Sequence, residues 1–284
     1  MRSEIKYGIV GAGHLGNFHA QQISKIKNVE LVGVFDLIKS KSGEASLKYH
    51  IKSFKNLREL LTVCDAVSIC TPAINHFNVA KQALLNNCHI FIEKPLTDNI
   101  KDAEKLIKLE NKNNKNIQVG HIERFNGAYT SFVQTKPNPL FIESHRLSPF
   151  SVRGLDVPVV LDLMVHDIDL ILSLVKSEIK SIKATGACVV SNLIDLANAR
   201  IEFKNGSVAN ITASRISNKQ MRKMRVFEKN IYTSLNFQNQ TCKQWVVNSN
   251  HVIKEATLSL EPVNALYEEL LSFIACITNN TKIA

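Results

Sequence analysis

The feature that most constrains the fold of this chain is a glycine-rich turn near its N-terminus. Residues 11–16 read Gly-Ala-Gly-His-Leu-Gly, directly after the apolar stretch Ile5–Val10 and at the start of a helical pattern. In such a turn Gly11 permits the tight bend, Gly13 lets the backbone approach a pyrophosphate, and Gly16 allows the helix to pack closely on the strand. The helix N-terminus adds N–H donors and a partial positive charge. The pattern predicts a strand–turn–helix unit that binds a dinucleotide.

One acidic residue indicates which dinucleotide the turn accepts. Asp36 lies twenty residues after Gly16, at the end of the second apolar strand pattern. An aspartate there accepts hydrogen bonds from the adenosine ribose hydroxyls and repels a 2′-phosphate. The spacing therefore favours NAD over NADP. The alternative is a glycine turn followed by an unrelated aspartate that caps a strand.

Strand and helix patterns alternate through the first 120 residues. Strands that are apolar on both faces and separated by helices indicate a parallel sheet covered on both sides. We therefore predict an α/β fold with a Rossmann doubly wound parallel sheet over residues 1–120, which binds its ligand at the carboxyl ends of the strands. The predicted strands are Ile5–Val10, Val29–Phe35, Ala66–Cys70, His89–Ile92 and Ile117–Val119, and the helices are His14–Ile26, Leu57–Thr62, Val79–Asn86 and Ile100–Asn111.

After about Gly120 the pattern becomes that of an α+β domain. The turn Lys204-Asn205-Gly206 lies between two strand patterns and is typical of an antiparallel hairpin. We predict that residues 121–284 form a substrate-binding and oligomerisation domain with a largely antiparallel, open-faced sheet. Its predicted elements are a helix at Leu161–Val175, strands at Ile179–Val190, Leu196–Phe203, Ser207–Ser214 and Arg225–Phe237, and a final helix at Val263–Ile277.

Composition argues against several classes of protein. The six cysteines lack paired spacing, which predicts neither a disulfide framework nor a metal site. The net charge of +10 fits a lysine-rich solvated surface, with a preference for anionic ligands as the alternative, and no nucleic-acid-binding motif accompanies it. No apolar run reaches the ~18 residues of a membrane span. Because the N-terminus also lacks the pattern of a secretory signal, we expect a cytoplasmic protein.

A lysine follows the strand that begins at His89. In the motif Glu93-Lys94-Pro95, Lys94 stands at the carboxyl edge of the predicted sheet, where the nicotinamide and the substrate of such a fold meet. Its ammonium group could hydrogen-bond a substrate hydroxyl and stabilise the alkoxide that develops there. The alternative is a surface ion pair followed by a proline that starts a helix.

A second pair of titratable groups lies on the predicted helix of the second domain. Asp162 and His166 are four residues apart and therefore share a helix face. A histidine can take a hydroxyl proton during hydride transfer, and a neighbouring carboxylate can hold its tautomer. The alternatives are a capping aspartate beside a packed core histidine, or a metal pair that lacks a third ligand with suitable spacing.

In this order the motifs resemble the glucose–fructose oxidoreductase/inositol dehydrogenase (Gfo/Idh/MocA) family across nearly the whole chain. Thr71-Pro72 followed by His76 is a further landmark of the resemblance. The resemblance implies a catalytic group of Lys94, Asp162 and His166. It also implies that NAD is lined by Gly11, Ala12, Gly13, His14, Leu15, Gly16, Asp36, Thr71, Pro72, His76, Glu93 and Lys94.

Three stretches resemble the branch of that family that oxidises the 3-hydroxyl of UDP-N-acetylglucosamine: residues 119–126, 146–150 and 161–169. This resemblance implies a nucleotide-sugar substrate, a downstream aminotransferase and a homodimer or homotetramer. A planar guanidinium suits phosphate oxygens, although a surface ion pair is the alternative for each arginine. The candidates for binding the diphosphate or the sugar are Arg124, Asn126, Arg146, Arg153 and Arg215.

Several alternatives stay open at this point. Either Lys94 or His166 could be the base, and the substrate could instead be a free sugar, a polyol or another cyclic alcohol. A catalytically silent dinucleotide-binding regulator is a third reading, because one fold hosts many functions. Family members usually continue some tens of residues beyond the final helix, so the resemblance leads us to expect a truncated or short variant, for which full activity and the usual oligomer stay open.

Overall fold

In the computed structural model of the protein, the described residues are 4–151, 157–258, 263–279 and 281. The chain divides into two compact units, one made of residues 1–120 and 266–284 and the other of residues 121–265. Within the described ranges, no helix is both long and apolar enough to cross a membrane.

The first unit contains a six-stranded parallel sheet in the order β3-β2-β1-β4-β5-β6. The order reverses direction between β1 and β4, which is the topological switch point of a doubly wound fold. The predicted Rossmann sheet is therefore confirmed. Its strands are β1 Ile5–Val10, β2 Val29–Phe35, β3 Lys52–Ser53, β4 Ala66–Ile69, β5 His89–Glu93 and β6 Ile117–Gly120, and its helices are α1 His14–Ile23, α2 Lys39–Tyr49, α3 Leu57–Leu61, α4 His76–Leu85 and α5 Ile100–Asn113, with a 3₁₀ turn at Ala73–Asn75.

Both faces of this sheet are covered, as the apolar strands predict. Along β1, Tyr7 and Ile9 belong to one buried cluster and Val10 belongs to another. Successive side chains of a strand point to opposite faces, so β1 contributes to a core on each side. β4 is buried along its whole length. Both cores therefore support the carboxyl edge at which β1, β4 and β5 end.

The last helix, α8 at Ala265–Asn279, packs on the first unit. Phe273 makes edge-to-face contacts with Tyr7 and Phe91, with ring centroids 6.4 and 5.8 Å apart, and Leu270 is buried in the same cluster. The sequence analysis assigned this helix to the second domain, and the packing differs from that assignment. An apolar helix face can pack on either unit, so the position of the helix in the chain does not predict which unit it covers.

The second unit contains an eight-stranded sheet in the order β14-β13-β12-β11-β7-β10-β9-β8. Every neighbouring pair is antiparallel except β7 and β10, which confirms the largely antiparallel prediction. The strands are β7 Phe141–Leu147, β8 Ile179–Ala187, β9 Leu196–Phe203, β10 Val208–Ser214, β11 Met221–Glu228, β12 Ile231–Asn236, β13 Thr241–Val247 and β14 Ile253–Thr257. The helices are α6 Gly127–Gln134 and α7 Val165–Leu174, with a 3₁₀ helix at Ile122–Phe125 and a π-helix at Val160–Met164.

The two faces of this sheet differ in what they carry. On the inner face, Ile142 and Val226 are buried in one core with Leu170 of α7. On the outer face, an aromatic row runs across four strands, with neighbouring ring centroids 5.9, 4.9 and 4.8 Å apart. This row consists of Phe141, Phe227, Tyr232 and Trp245.

The predicted strand at Arg225–Phe237 is in fact a hairpin. It turns at Lys229-Asn230, where Asn230 has a φ of 62°. Asparagine tolerates this left-handed conformation, so the turn had a sequence signal that was overlooked. Helices α2 and α6 and strands β3, β7, β13 and β14 were not predicted. Polar residues interrupt the patterns in α2 and β14.

Candidate functional site

The glycine turn has the geometry that its sequence predicts. Gly11 directly follows β1 with a φ of 96°, and its N–H donates to the carbonyl of Phe35 at 2.8 Å. A Cβ atom on Gly11 would lie 2.7 Å from the carbonyl oxygen of Cys70, and one on Gly16 would lie 1.8 Å from the carbonyl oxygen of Gly11. Neither position has room for a side chain. The close approach of α1 to the end of β1 therefore depends on both glycines.

Gly13 differs from these two glycines because it faces open space. A Cβ atom built there meets no heavy atom within 4 Å, and no side-chain hydrogen bond caps the start of α1 in the described chain. The first-turn N–H groups and the positive end of the helix dipole therefore face a region that can hold an anion. This arrangement fits the pyrophosphate of a dinucleotide.

A cavity of about 670 Å³ opens beside the turn. Seven of the predicted cofactor residues line it: Gly11, Gly13, His14, Leu15, Asp36, Thr71 and Pro72. Sequence reasoning missed several other lining residues, among them Leu37, Ile38, Asn75, Asn78 and Val79. These lie on loops and on the first turn of α4, where the sequence carries no motif that marks a binding site.

Asp36 is fixed at the carboxyl end of β2 by two backbone donors. Its Oδ2 accepts from the N–H of Ala12 at 2.7 Å, and its Oδ1 accepts from the N–H of Ile38 at 2.8 Å. A carboxylate has about four acceptor sites, so lone pairs remain for ribose hydroxyls. The N–H of Ala12 therefore helps to orient the Asp36 carboxylate before a ligand binds.

The segment after β4 contributes a hydroxyl and a buried histidine. Thr71 lines the cavity, and its Oγ1 is buried without a hydrogen-bond partner in the described structure. Buried hydroxyls are normally paired, so this atom is a ready contact for a ligand. His76 lies behind the wall, with Nδ1 2.7 Å from the carbonyl oxygen of Pro95 and Nε2 2.9 Å from that of Thr71. It joins two loops of the site and does not line the cavity.

Glu93 and Lys94 stand at the end of β5, where both are half-buried. The Oε1 atom of Glu93 lies 2.9 Å from Nε2 of His19, a fully buried residue of α1. The sequence analysis predicted a helix over His14–Ile26, gave His19 no role and missed this contact. The one sequence signal for this contact is the spacing between Gly16 and His19, which places both residues on the helix face that packs on the sheet.

In the second unit, Asp162 and His166 lie on consecutive helical segments. Asp162 belongs to the π-helix Val160–Met164 and His166 to the first turn of α7, and both are half-buried. π-Helical turns inside helices occur frequently at functional sites. Sequence analysis expected one continuous α-helix here. A spacing of four residues keeps the two side chains on one side of the helix.

Arg124 is held against α7 by an acidic residue that sequence analysis did not single out. Its Nε and Nη2 donate to Oδ2 and Oδ1 of Asp169, both at 2.7 Å. Nδ1 of His121 lies 3.7 Å from Oδ2 of the same carboxylate. The side chain of Arg124 is 36% exposed, so the bidentate pair fixes a guanidinium at the surface of the unit.

Arg146 and Asn126 have structural roles that differ from the predicted contact with substrate. Arg146 is buried, donating from Nε to Asp167 and from Nη1 to Glu123, each at 2.7 Å. Burial by itself lowers the pKa of this guanidinium. The charges and hydrogen bonds of the two carboxylates outweigh burial and raise the pKa above its ordinary value. Asn126 caps α6 through the N–H of Ala128 and is also buried. Their burial leaves little surface for the diphosphate or the sugar, the groups that these two side chains are predicted to bind.

Of the remaining two predicted arginines, the described one, Arg215, is not an exposed phosphate ligand. Arg215 is buried and donates from Nη2 to the carbonyl of Val157, while its Nε lies 3.8 Å from Asp195. It therefore ties the chain at residue 157 to the end of β10. Arg153 lies outside the described residues. Among the residues that the structure describes, no group of three or more His, Cys, Asp or Glu side chains is arranged to hold a metal ion.

The doubly wound sheet, the glycine turn and the oriented Asp36 define a dinucleotide-binding protein of the Rossmann class. The chain matches the model described as an oxidoreductase family with an NAD-binding Rossmann fold over residues 5–121, and that of the GFO/IDH/MocA C-terminal domain over residues 116–230. The chain therefore belongs to the GFO/IDH/MocA oxidoreductase family, which confirms the resemblance, and its cofactor is NAD.

Individual relatives extend the similarity over the whole chain. The UDP-N-acetylglucosamine 3-dehydrogenase of Acidithiobacillus ferrooxidans is 35% identical over 279 residues, which cover 96% of this chain and 88% of the relative. A solved structure of that enzyme matches with a TM-score of 0.93 and 34% identity, over 99% of this chain and 91% of that one. The myo-inositol 2-dehydrogenase of Thermotoga maritima is 25% identical over 229 residues, 74% of this chain and 69% of the relative.

Proposed function

We propose that this dehydrogenase oxidises the 3-hydroxyl of a UDP-N-acetylhexosamine such as UDP-N-acetylglucosamine to a 3-keto sugar. The observation that carries the proposal is the 35% identity to the UDP-N-acetylglucosamine 3-dehydrogenase of Acidithiobacillus ferrooxidans across 96% of this chain. Similarity over that length includes both compact units, so it extends beyond the cofactor site to the unit that holds Asp162, His166 and Arg124.

The proposed roles follow from the chemistry of each side chain. NAD, when bound, accepts the hydride that leaves the sugar carbon. His166 takes the hydroxyl proton and Asp162 orients its ring, because an imidazole with a fixed tautomer is an efficient base near neutral pH. Lys94 stabilises the negative charge that develops on the sugar oxygen. Replacement of both Lys94 and His166 is expected to abolish turnover.

Arg124 is our candidate for the diphosphate. Of the four predicted substrate-binding residues within the described structure, it is the one whose side chain is substantially exposed. Its bidentate pair with Asp169 orients the guanidinium, and such a planar group suits phosphate oxygens. Replacing Arg124 with leucine should raise KM for the UDP-sugar with little effect on the affinity for NAD.

The test is absorbance at the reduced-nicotinamide band after mixing protein, NAD and UDP-N-acetylglucosamine. A ketone trap or a coupled aminotransferase is present because the oxidation is expected to run uphill. We expect the band to grow with NAD, and not with NADP or with UDP in place of the sugar nucleotide. Growth only with myo-inositol or a free sugar would instead identify a polyol dehydrogenase, an alternative that the similarity to the inositol enzyme supports. A flat trace with every sugar, despite NAD binding, would favour a silent regulator.

We further propose a partner enzyme, an oligomeric state and a cellular location for this dehydrogenase. The 3-keto product is a substrate for an aminotransferase, which would install nitrogen at that carbon. The aromatic row on the outer face of the β-sheet in the second unit supports a homodimer or homotetramer, because partly exposed aromatic rows often mark interfaces. A cytoplasmic location suits the lack of a disulfide among the six cysteines, all of which lie in the described part of the chain.

A further inference from the structure

A buried chain of hydrogen bonds crosses the first unit and ends at the carboxyl edge of its sheet. The hydroxyl of Tyr7 lies 2.8 Å from Oγ of Ser68, and Ser68 Oγ lies 2.9 Å from Nδ1 of His19. Nε2 of His19 lies 2.9 Å from Oε1 of Glu93. Tyr7, Ser68 and His19 are fully buried, whereas 14% of the Glu93 side chain is exposed. Three strands and α1 are thus connected to one carboxylate.

The direction of these bonds follows from the groups at the two ends. Burial raises the pKa of Tyr7 far above its ordinary value, so its hydroxyl keeps its proton and donates to Ser68. An ionised carboxylate only accepts, so the proton between His19 and Glu93 resides on Nε2. Ser68 bridges the hydroxyl of Tyr7 and Nδ1 of His19. The network therefore fixes the orientation of the His19 ring.

Glu93 is held as an anion despite its burial. Burial by itself raises the pKa of Glu93, but the hydrogen bond from His19 and the charges of His19 and Lys94 outweigh burial, and the pKa lies below its ordinary value. On the neighbouring strand, burial and the charge of Glu93 raise the pKa of the Cys70 thiol, which stays neutral. A negative charge therefore stands at the end of β5 at neutral pH.

The topology places this charge on the nicotinamide side of the cofactor site. In a doubly wound sheet, the two halves of the dinucleotide lie on opposite sides of the switch point. Asp36, which suits the adenosine ribose, ends β2 on one side, and Glu93 ends β5 on the other. The nicotinamide ring carries a positive charge when oxidised and none when reduced.

We propose that His19 is a positioning residue that holds the Glu93 carboxylate in one orientation, and that this carboxylate makes the site prefer oxidised over reduced NAD. In a partly buried site a carboxylate attracts a cationic ring, whereas a neutral ring gains nothing comparable. The arrangement favours the cofactor form that is needed for oxidation of a hydroxyl. The proposed preference concerns the binding of the cofactor alone and does not depend on which sugar is oxidised.

The experiment measures dissociation constants of NAD⁺ and NADH by calorimetry, without substrate, for the wild-type chain and four variants. We expect Glu93→Gln and His19→Phe to weaken NAD⁺ binding about tenfold and NADH binding by less than about twofold, because only the oxidised ring loses a charge partner. His19→Gln keeps an N–H near the position of Nε2 and should retain most of the preference. Glu30→Gln removes a charge from an exposed position on β2 and serves as the matched control, with no expected change in the ratio.

The ratio of the two dissociation constants decides the outcome. An unchanged ratio in Glu93→Gln, with both cofactor forms weakened equally or not at all, would overturn the proposal. Equal ratios in His19→Gln and His19→Phe would remove the positioning role of His19. If His19→Phe does not fold, Glu93→Gln still tests the charge, and His19→Gln then tests the positioning by retaining or losing the ratio of the wild-type chain.

Discussion

At the scale of single residues, two glycines of one turn are expected to respond differently to the same change. A methyl group on Gly13 meets open space but occupies the region that suits the pyrophosphate. Gly13→Ala should therefore leave the thermal midpoint of the free protein nearly unchanged and weaken NAD binding about tenfold or more, a loss of about 1.4 kcal/mol or more. Differential scanning fluorimetry and calorimetric titration measure the two effects separately.

The contrasting variant is Gly16→Ala. Its Cβ atom would lie 1.8 Å from the carbonyl oxygen of Gly11, so α1 must move away from the turn. We expect this variant to lose both stability and NAD binding. Equal stability of the two variants would contradict the packing role of Gly16, and unchanged NAD affinity in Gly13→Ala would contradict the placement of the pyrophosphate.

Buried charge makes Arg146 a determinant of stability. Arg146→Ala would leave Asp167 and Glu123 buried with an unpaired charge, and breaking a buried ion pair in this way costs about 3–5 kcal/mol. Urea unfolding followed by circular dichroism measures the loss. Arg225→Ala removes an exposed arginine paired with Glu143 on the same sheet, and its expected cost is only about 0–1 kcal/mol. Similar losses in the two variants would show that Arg146 is not a buried structural residue.

At the scale of elements, α8 is expected to stabilise the first unit. Phe273 is fully buried against Tyr7 and Phe91, and truncating a buried phenylalanine costs about 3–5 kcal/mol. Phe273→Ala should lower the unfolding free energy of the first unit by about that amount, as measured by hydrogen exchange in β1 and β5. Leu271→Ala, on the exposed side of the same helix, is the control. Unaltered protection in Phe273→Ala would refute this packing.

At the scale of the whole molecule, acid should destabilise the protein. Burial raises the pKa of Asp195, but hydrogen bonds from the N–H groups of residues 189–191 and from the hydroxyl of Ser191 lower this pKa far more. The pKa of Glu93 also lies below its ordinary value. The unfolded chain then binds more protons than the native chain, so the stabilisation present at neutral pH declines as the pH falls below about 5. Urea unfolding at pH 7 and pH 4 measures this slope.

The control for this titration is Asp195→Asn. The amide cannot titrate, so the variant should be less stable at pH 7 and lose less stability between pH 7 and pH 4. An identical slope in the variant and the wild-type chain would mean that other carboxylates cause the acid sensitivity.

The oligomeric state is also decided at this scale. If the outer-face aromatic row forms the interface, Trp245→Glu should reduce the mass measured by sedimentation to that of a monomer, because a buried unpaired charge is strongly unfavourable. Lys243→Glu, two residues away on the same face, places a charge where one is already exposed and is the comparison. Retention of the oligomer in Trp245→Glu would place the interface elsewhere.

Local sequence patterns were sufficient to predict the structure where a local backbone geometry accepts few residue types. The glycine turn, Asp36 and the alternation of strands and helices predicted the Rossmann sheet and its cofactor, because tight turns and doubly buried strands restrict the residues that they accept. The π-helix at Val160–Met164 was not predictable in this way, since it depends on packing of the surrounding unit. The same holds for α8, whose apolar face fitted either unit.

The sequence by itself therefore determined the fold class, the nucleotide-binding turn and the family, all of which rest on short stretches of chain. Only the tertiary structure decided which charged side chains are exposed to solvent and which are buried. Arg124 and Arg146 are both arginines beside acidic residues, yet one lies at the surface against Asp169 and the other is enclosed by Asp167 and Glu123. The physical reason is that burial and pairing arise from residues distant in the chain, which no local pattern records.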